Sequence, residues 1–202
     1  MKKLPFNIVL LGMITSGKET QANILKKKYA LKFVESGVYF RKLLKTKGPV
    51  GDLARRTAGA GNAGAMVLMK KFLTDEISKK PKDKNLLFLG NPRLKPEAQL
   101  LKKILDSRKE DFLAFYISLP DEEVYKRSLK RRSGNMKEIY KVLDTEKIIG
   151  KRIDYHKKQV SKTVKYFQGL GKMNIINGNQ PIAKVTKDIL GKIEEYKKWR
   201  EK

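Results

Sequence analysis

Gly12-Met13-Ile14-Thr15-Ser16-Gly17-Lys18-Glu19-Thr20-Gln21 follows directly on an apolar run at 6–11 and leads into a pattern in which Ala22, Leu25 and Tyr29 mark one helical face. A buried strand, a glycine loop and a helix N-terminus in that order make a phosphate cradle. Backbone N–H groups and the positive helix end point at the anion, and the lysine reaches further oxygens. The competing reading is an ordinary strand-to-helix turn with a surface lysine; the flanking strand and helix favour the cradle. One position departs from the general pattern. The residue after the lysine is usually Ser or Thr, whose hydroxyl ligates Mg²⁺; here it is Glu19, with Thr20 one place later. A carboxylate beside a polyphosphate either repels it or takes part in holding the metal.

Working outward, short apolar runs alternate with helical patterns. Strands are expected at 32–35, 86–89, 112–119 and 173–176 in addition to 6–11. Between them lie helical patterns at 36–45, 51–60, from Met66 through Met69, Leu73 and Ile77, and at 96–107. Pro120-Asp121-Glu122-Glu123 opens another helix with proline and acids in its first turn. Residues 133–142 lack apolar periodicity and read as a loop. A long helix from Asp144 carries Ile149, Ile153, His156, Val160, Val164 and Phe167 along one seam. His156, the only histidine, therefore reads as a packing residue. Ile182, Val185, Ile189, Ile193 and Tyr196 form the inner stripe of the last helix, with Trp199 extending it to cap the core edge. This alternation predicts a five-stranded parallel sheet covered by helices on both faces.

At 202 residues with 40% hydrophobic content, the chain forms one domain with a sizeable core. It has no cysteine, which excludes disulfides. Met1-Lys2-Lys3 and the apolar residues behind it mimic a signal peptide, but the run ends in the Gly12–Lys18 loop, and no segment approaches bilayer length. A soluble, cytoplasmic protein without a membrane partner is expected. Lys and Arg number 47 against 21 Asp and Glu, a net charge of +26. That field attracts nucleotides, RNA or anionic membranes. The basic residues are scattered at helical spacing, as on solvated faces, and no aromatic residues interleave with them as a stacking platform for single strands requires.

Several arginines fall where ligands collect in such sheets, beyond the carboxyl ends of the strands. Arg41 lies one turn into the helix after the second strand, and Arg93 follows the third in Gly90-Asn91-Pro92-Arg93. Arg127 and Arg131 share a helical face, and Arg152 lies in the seam of the long helix. Phosphoryl transfer needs this equipment, because its catalysis is mainly positioning and charge neutralisation.

With these elements in order, the chain resembles the adenylate kinases, or a close nucleoside monophosphate kinase relative, over essentially its whole length. The family's G-K-x-T-Q-A matches Gly17-Lys18-Glu19-Thr20-Gln21-Ala22, its T-G-D-x-x-R resembles Ser36-Gly37-Val38-Tyr39-Phe40-Arg41, and its G-F-P-R resembles Gly90-Asn91-Pro92-Arg93. Its V-P-D-E helix with paired arginines resembles Leu119-Pro120-Asp121-Glu122 with Arg127 and Arg131. Asp144 to Arg152 fits its D-x7-R, and Ile176-Asn177-Gly178 its late glycine turn.

The resemblance implies a P-loop NTPase-type three-layer α/β/α fold with a small helical monophosphate-binding lobe at 36–66 and a short lid at 133–143. It implies transfer of the terminal phosphoryl group of ATP, carried with Mg²⁺, to a nucleoside monophosphate, most simply AMP, by a monomer. Lys18, Arg93, Arg131 and Arg152 would be catalytic. Gly12, Ser16, Gly17, Lys18, Glu19, Thr20, Arg127 and Gln180 would bind ATP. Ser36, Gly37, Arg41, Arg93 and Glu97 would bind the acceptor, Lys141 and Asp144 would belong to the lid, and no residue would be a dedicated metal ligand. Glu19, Val38 and Lys141 depart from the family pattern, as do Ile14 and Thr15. Glu97 stands where a glutamine reads the acceptor adenine; a carboxylate accepts from an exocyclic amine but cannot donate to a ring nitrogen, which admits CMP, so a CMP/UMP-type kinase is one alternative. A weakened kinase fold that binds RNA or another polyanion is the alternative of a different class.

Overall fold

The computed structural model describes residues 1–57, 63–134 and 145–201. Strands β1 (Asn7–Gly12), β2 (Leu31–Val34), β3 (Asn85–Leu89), β4 (Phe112–Ser118) and β5 (Met173–Asn177) begin and end within one residue of the apolar runs read from sequence. They pair in parallel in the order β2-β3-β1-β4-β5. The central strands are buried on both faces, which is why β1 and β3 read as continuous apolar runs rather than alternating ones.

Strand alternation sends successive side chains into two separate layers. Ile8 and Leu10 of β1 join Leu87, Phe115 and Ile117 beneath α1 (Lys18–Lys28) and α9 (Ile182–Arg200), whose inner residues are Ala22, Leu25, Val185, Ile189 and Ile193. Val9 and Leu11 point the other way, to Phe88, Phe112 and Ala114. That layer is closed by Phe72 and Leu73 of α4 (Ala63–Ser78), Leu101 and Leu105 of α5 (Lys95–Ser107) and Phe167 of α8 (Ser161–Gly169). The chain therefore leaves β1 for one face of the sheet and β3 for the other. The divergence opens a crevice beyond the carboxyl ends of these adjacent strands, the usual place for a ligand in a parallel sheet.

A third, smaller cluster sits above that crevice. Met13 and Ile14 of the glycine loop pack with Leu119 after β4 and Val124 of α6 (Asp121–Ser133). Ile149 and Ile153 of α7 (Glu146–Tyr155) complete it. This apolar knot ties the loop to the two helices that carry Arg131 and Arg152. Before α4, α2 (Ser36–Lys45) and α3 (Pro49–Thr57) form a small helical unit, closed where Arg55 donates to the carbonyls of Leu44 and Thr46 at 2.9 and 3.0 Å. The tilted contact of Tyr39 with Phe72, 4.9 Å between centroids, packs α2 on α4.

Several expectations are corrected. The helix expected at 51–60 starts earlier, at Pro49, where a first-turn proline loses nothing by lacking its N–H. The long helix begins at Glu146 and is interrupted by a π segment, His156–Val160, in which the Ser161 N–H bonds to the His156 carbonyl five residues back. Ile182 is 60% exposed and Trp199 64% exposed, so neither belongs to the inner stripe of α9. Trp199 lies stacked on Tyr196, 5.4 Å between centroids, and borders a shallow groove with Leu113 of β4 and Met173 of β5. Most of the lid expected at 133–143, and Lys141 and Asp144 with it, lies outside the described residues. Among the described residues, no helix is long and apolar enough to cross a membrane.

Ile149 is fully buried in the knot under the glycine loop. Ile149→Ala is expected to lower stability by about 2–5 kcal/mol, read from urea unfolding. A change below about 0.5 kcal/mol would show that the knot does not hold loop and helix together.

Candidate active site

The loop after β1 is shaped by close approach. A Cβ on Gly12 would stand 2.6 Å from Ser16 Oγ and 2.9 Å from the Ile117 carbonyl, so only glycine fits where the loop folds back on the strand ends. Gly17 caps α1 in the left-handed region at φ 81°, and Thr15 also has a positive φ of 58°. These turns present the α1 N-terminus to the crevice. Ser16 is buried and its Oγ has no hydrogen-bond partner among the described residues, an unmade bond inside an anion-shaped loop.

Lys18 runs from the first turn of α1 across the end of β3, its Cε 3.6 Å from where a Cβ on Gly90 would lie. Its side chain is 14% exposed and meets the Glu19 carboxylate at 3.4 Å. Burial pulls its pKa below the ordinary lysine value. Glu19 opposes that shift, while Arg93 and Arg152 reinforce it by repulsion. Thr20 is exposed on the same turn. Gln21, next along, is buried and ties α1 to α9, donating to the Ile182 carbonyl at 3.1 Å and accepting from Thr186 at 2.8 Å.

Arg93 is fixed by its own loop. Its Nε donates to the Gly90 carbonyl at 2.9 Å, its backbone N–H to Glu97 at 2.8 Å, and its carbonyl accepts from Thr163 Oγ1 at 2.9 Å. Asn91, fully buried, donates to the carbonyls of Val34 at 2.8 Å and Leu89 at 3.2 Å. Glu97, expected to read the acceptor base, also receives the Leu94 N–H at 3.2 Å and so caps α5. Burial raises its carboxyl pKa, and the two backbone N–H groups partly offset that. Its carboxylate thus has a structural use that sequence pattern alone did not show.

Lys18, Glu19, Arg93, Arg131, Lys151 and Arg152 all line one cleft of about 280 Å³ at the mouth of the glycine loop, together with Gly12, Tyr155 and His156. Among the described residues, five cations thus come from α1, the β3–α5 loop, α6 and α7, with Glu19 as the carboxylate lining the same cleft. Not every expected residue is gathered there. Arg41 is exposed on α2 and lies back over Gly37, its Nη1 3.2 Å from where a Cβ would stand. Ser36 is buried at the start of the same helix. Arg127 pairs with Glu123 at 2.6 Å and reaches the Gly178 carbonyl at 3.4 Å, and Gln180 donates to Asp188 at 2.6 Å. Both therefore flank the β5–α9 turn, to one side of the cleft.

Sequence reasoning missed Lys151, Tyr155 and His156 as lining residues, and Thr163 and Asn91 as supports of Arg93. Lys151 had a signal, since it adjoins Arg152. His156 had only its place on the seam; Lys151, Arg152, Tyr155 and His156 line the cleft at ordinary helical spacing. Burial lowers the His156 pKa to about 4, with Arg93, Lys18 and Arg152 adding to the effect.

A phosphate loop at the fork of a parallel sheet, faced by cations from four separate elements, defines a P-loop protein built for phosphoryl groups. Comparison with known proteins narrows this. The adenylate kinase family model matches residues 10–172. The adenylate kinase of Bacteroides fragilis is 30% identical over 184 residues, covering 91% of this chain and 95% of that protein. That of Flavobacterium psychrophilum is 31% identical over 90% of this chain and 94% of its own length, and that of the archaeon Methanothrix thermoacetophila 27% identical over 91% and 96%. The chain belongs to the adenylate kinase family and is a nucleoside monophosphate kinase.

Proposed function

We propose that the cleft transfers the terminal phosphoryl group of MgATP to AMP, giving two ADP, in the cytoplasm and as a monomer. The observation that carries the residue assignment is the convergence of Lys18, Arg93, Arg131, Lys151 and Arg152 on one cleft above the glycine loop. An acceptor phosphate oxygen attacks the γ-phosphorus in line; that bond forms as the bond to the β–γ bridging oxygen breaks, and no side chain acts as nucleophile. The loop N–H groups, Ser16 Oγ and Lys18 hold the donor β- and γ-phosphates, with Gly12, Gly17 and Thr20 shaping the turn. Arg131 and Arg152 embrace the moving group, and guanidinium forks suit its equatorial oxygens. Arg93 takes the acceptor phosphate.

Arg127 and Gln180 flank the donor base at the β5–α9 turn. Ser36, Gly37 and Arg41 belong to a monophosphate lobe at 36–66, whose closure brings Arg41 to the acceptor. Residues 133–143, Lys141 among them, with Asp144 adjoining, form the lid that excludes water.

Mg²⁺ fits the donor set. Among the described residues no group of three or more His, Cys, Asp or Glu forms a cage, and Glu19 is the single carboxylate lining the cleft. Mg²⁺ keeps most of its waters and takes one or two carboxylates plus substrate phosphates, so it arrives with ATP and Glu19 would hold it. When bound it neutralises charge on the β- and γ-phosphates. Until then, Glu19 is counter-ion to Lys18.

CMP or UMP as acceptor rested on Glu97, whose carboxylate is accounted for by the α5 cap. A polyanion-binding module has no use for guanidinium groups turned onto one small cleft. AMP is therefore the acceptor this reading selects.

An ADP-formation assay with AMP, CMP, UMP and GMP is expected to show turnover with AMP foremost, and Lys18→Ala and Arg93→Ala each to lower kcat by about a hundredfold or more. Absence of acceptor-dependent turnover, or wild-type rates in both variants, would refute the assignment. Glu19→Gly is expected to tighten binding of metal-free ATP and to shrink the gain in affinity that Mg²⁺ gives, both read by calorimetry with and without chelator. Equal tightening in both conditions would mean that Glu19 serves Lys18 alone.

A further inference from the structure

His156 is a half-buried imidazole on the wall of the cationic cleft, and its Nδ1 is buried with no hydrogen-bond partner among the described residues. A buried polar atom left unpaired costs about 1–3 kcal/mol, and such atoms in native proteins call for an explanation. His156 is also the first residue of the π segment, a local widening that recurs at functional sites. The ring stands edge-on to Tyr155, 6.3 Å between centroids, and Tyr155 lines the same cleft.

Among the described residues the charges around it are mostly positive. Lys18 of α1, Arg93 of the β3–α5 loop and Arg152 of its own helix all disfavour a further positive charge there, after burial itself. Arg131 of α6, Lys151 of α7 and, as the one carboxylate among the described lining residues, Glu19 share the same space. On its far side the ring borders a shallow groove with Tyr116 of β4 and, along its own helix, Lys157 and Lys165. The Tyr116 hydroxyl is pushed up to about 12, chiefly by burial, so it is neutral at physiological pH. Lys157 is held by Asp121.

We infer that His156 is a phosphate-contacting residue on the wall of the cleft, which takes up a proton when nucleotide phosphates enter and donates from Nε2–H to a phosphate oxygen, its Nδ1 being closed off from the cleft. The inference rests on the proposed phosphoryl-transfer site but goes beyond it. The proton comes from solvent and stays on the imidazole, and no covalent bond is made.

The sign follows from linkage. In the empty protein the imidazole is depressed from 6.5 to about 4 and is neutral at pH 6, because burial and the three cations disfavour a further charge. Bound phosphates cancel the repulsion from Lys18, Arg93 and Arg152 and add attraction. The proton's affinity for the ring then rises, and by reciprocity nucleotide binds more tightly as pH falls through that window.

The chain's single histidine gives one ring Cε1–H resonance, so its titration can be followed by ¹H NMR without ambiguity. In the free protein it is expected to titrate below pH 5, and with saturating MgADP above pH 6. Calorimetry at pH 6 in two buffers of different ionisation enthalpy should show proton uptake on MgADP binding that His156→Gln abolishes. Between pH 7.5 and 5.5 the wild-type affinity should rise about tenfold relative to that variant. Binding with a measurable heat but an unmoved histidine titration would overturn this role and leave the phosphotransferase reading intact. No binding heat at all would overturn both.

Discussion

Like charges held together against their mutual repulsion are the constraint on which the rest of this structure depends. Among the described residues, Lys18, Arg93, Arg131, Lys151 and Arg152 share one cleft with Glu19 as the carboxylate lining it; burial first, and then repulsion between the cations, depresses the pKa of the lysine and of the histidine. Crowding of like charge is unfavourable in itself. It persists because each cation is mounted on an element fixed elsewhere by apolar burial. The two sheet layers hold α1 and α5, and the knot of Met13, Ile14, Leu119, Val124, Ile149 and Ile153 holds the loop against α6 and α7. Ile14, one of the residues by which this loop departs from the family pattern, is thus also one that anchors it, with Met13 beside it. A site strained in this way is relieved by a polyanion, so binding and stability are coupled.

Support for the individual cations is unequal. Arg93 has its backbone tied at both ends by Glu97 and Thr163, and its loop is held by buried Asn91. Lys18 is set by the close packing of Gly12, Ser16 and Gly90 around it. Arg41, by contrast, lies on the small helical unit outside the cleft, with Arg127 and Gln180 at the opposite flank. A rigid centre with outlying arms is the arrangement expected where chemistry needs fixed charge but substrates must enter and leave.

Much of this was legible in the sequence because it depends on short-range rules. The five apolar runs became the five strands, since a strand buried on both faces has no other way to read. Lys18 could be assigned because loop and helix place it at a strand end, and Arg131 and Arg152 joined it through the resemblance of their helices to the family's motifs. The rest is tertiary. Whether Glu97 faces a ligand or its own helix N-terminus depends on the course of the Asn91-Pro92-Arg93 turn. His156 shares the apolar spacing of Ile153 and Val160, and whether such a position borders a cleft depends on how α7 packs beside the glycine loop. Ile182 and Trp199 continue the period of α9 at its two ends yet are exposed, because a periodicity does not announce how far the packing beneath it extends.

The central claim is that cations from separate elements act on one transferring group, and a double-mutant cycle between Arg93 and Arg152 tests it most directly. Steady-state rates of Arg93→Ala, Arg152→Ala and the double variant give the coupling free energy. The account predicts strong non-additivity, about 1 kcal/mol or more, because both charges meet on the same phosphoryl group. Losses that add to within about 0.3 kcal/mol would mean that the two arginines serve different ends, and the shared cleft would then not be the seat of the reaction.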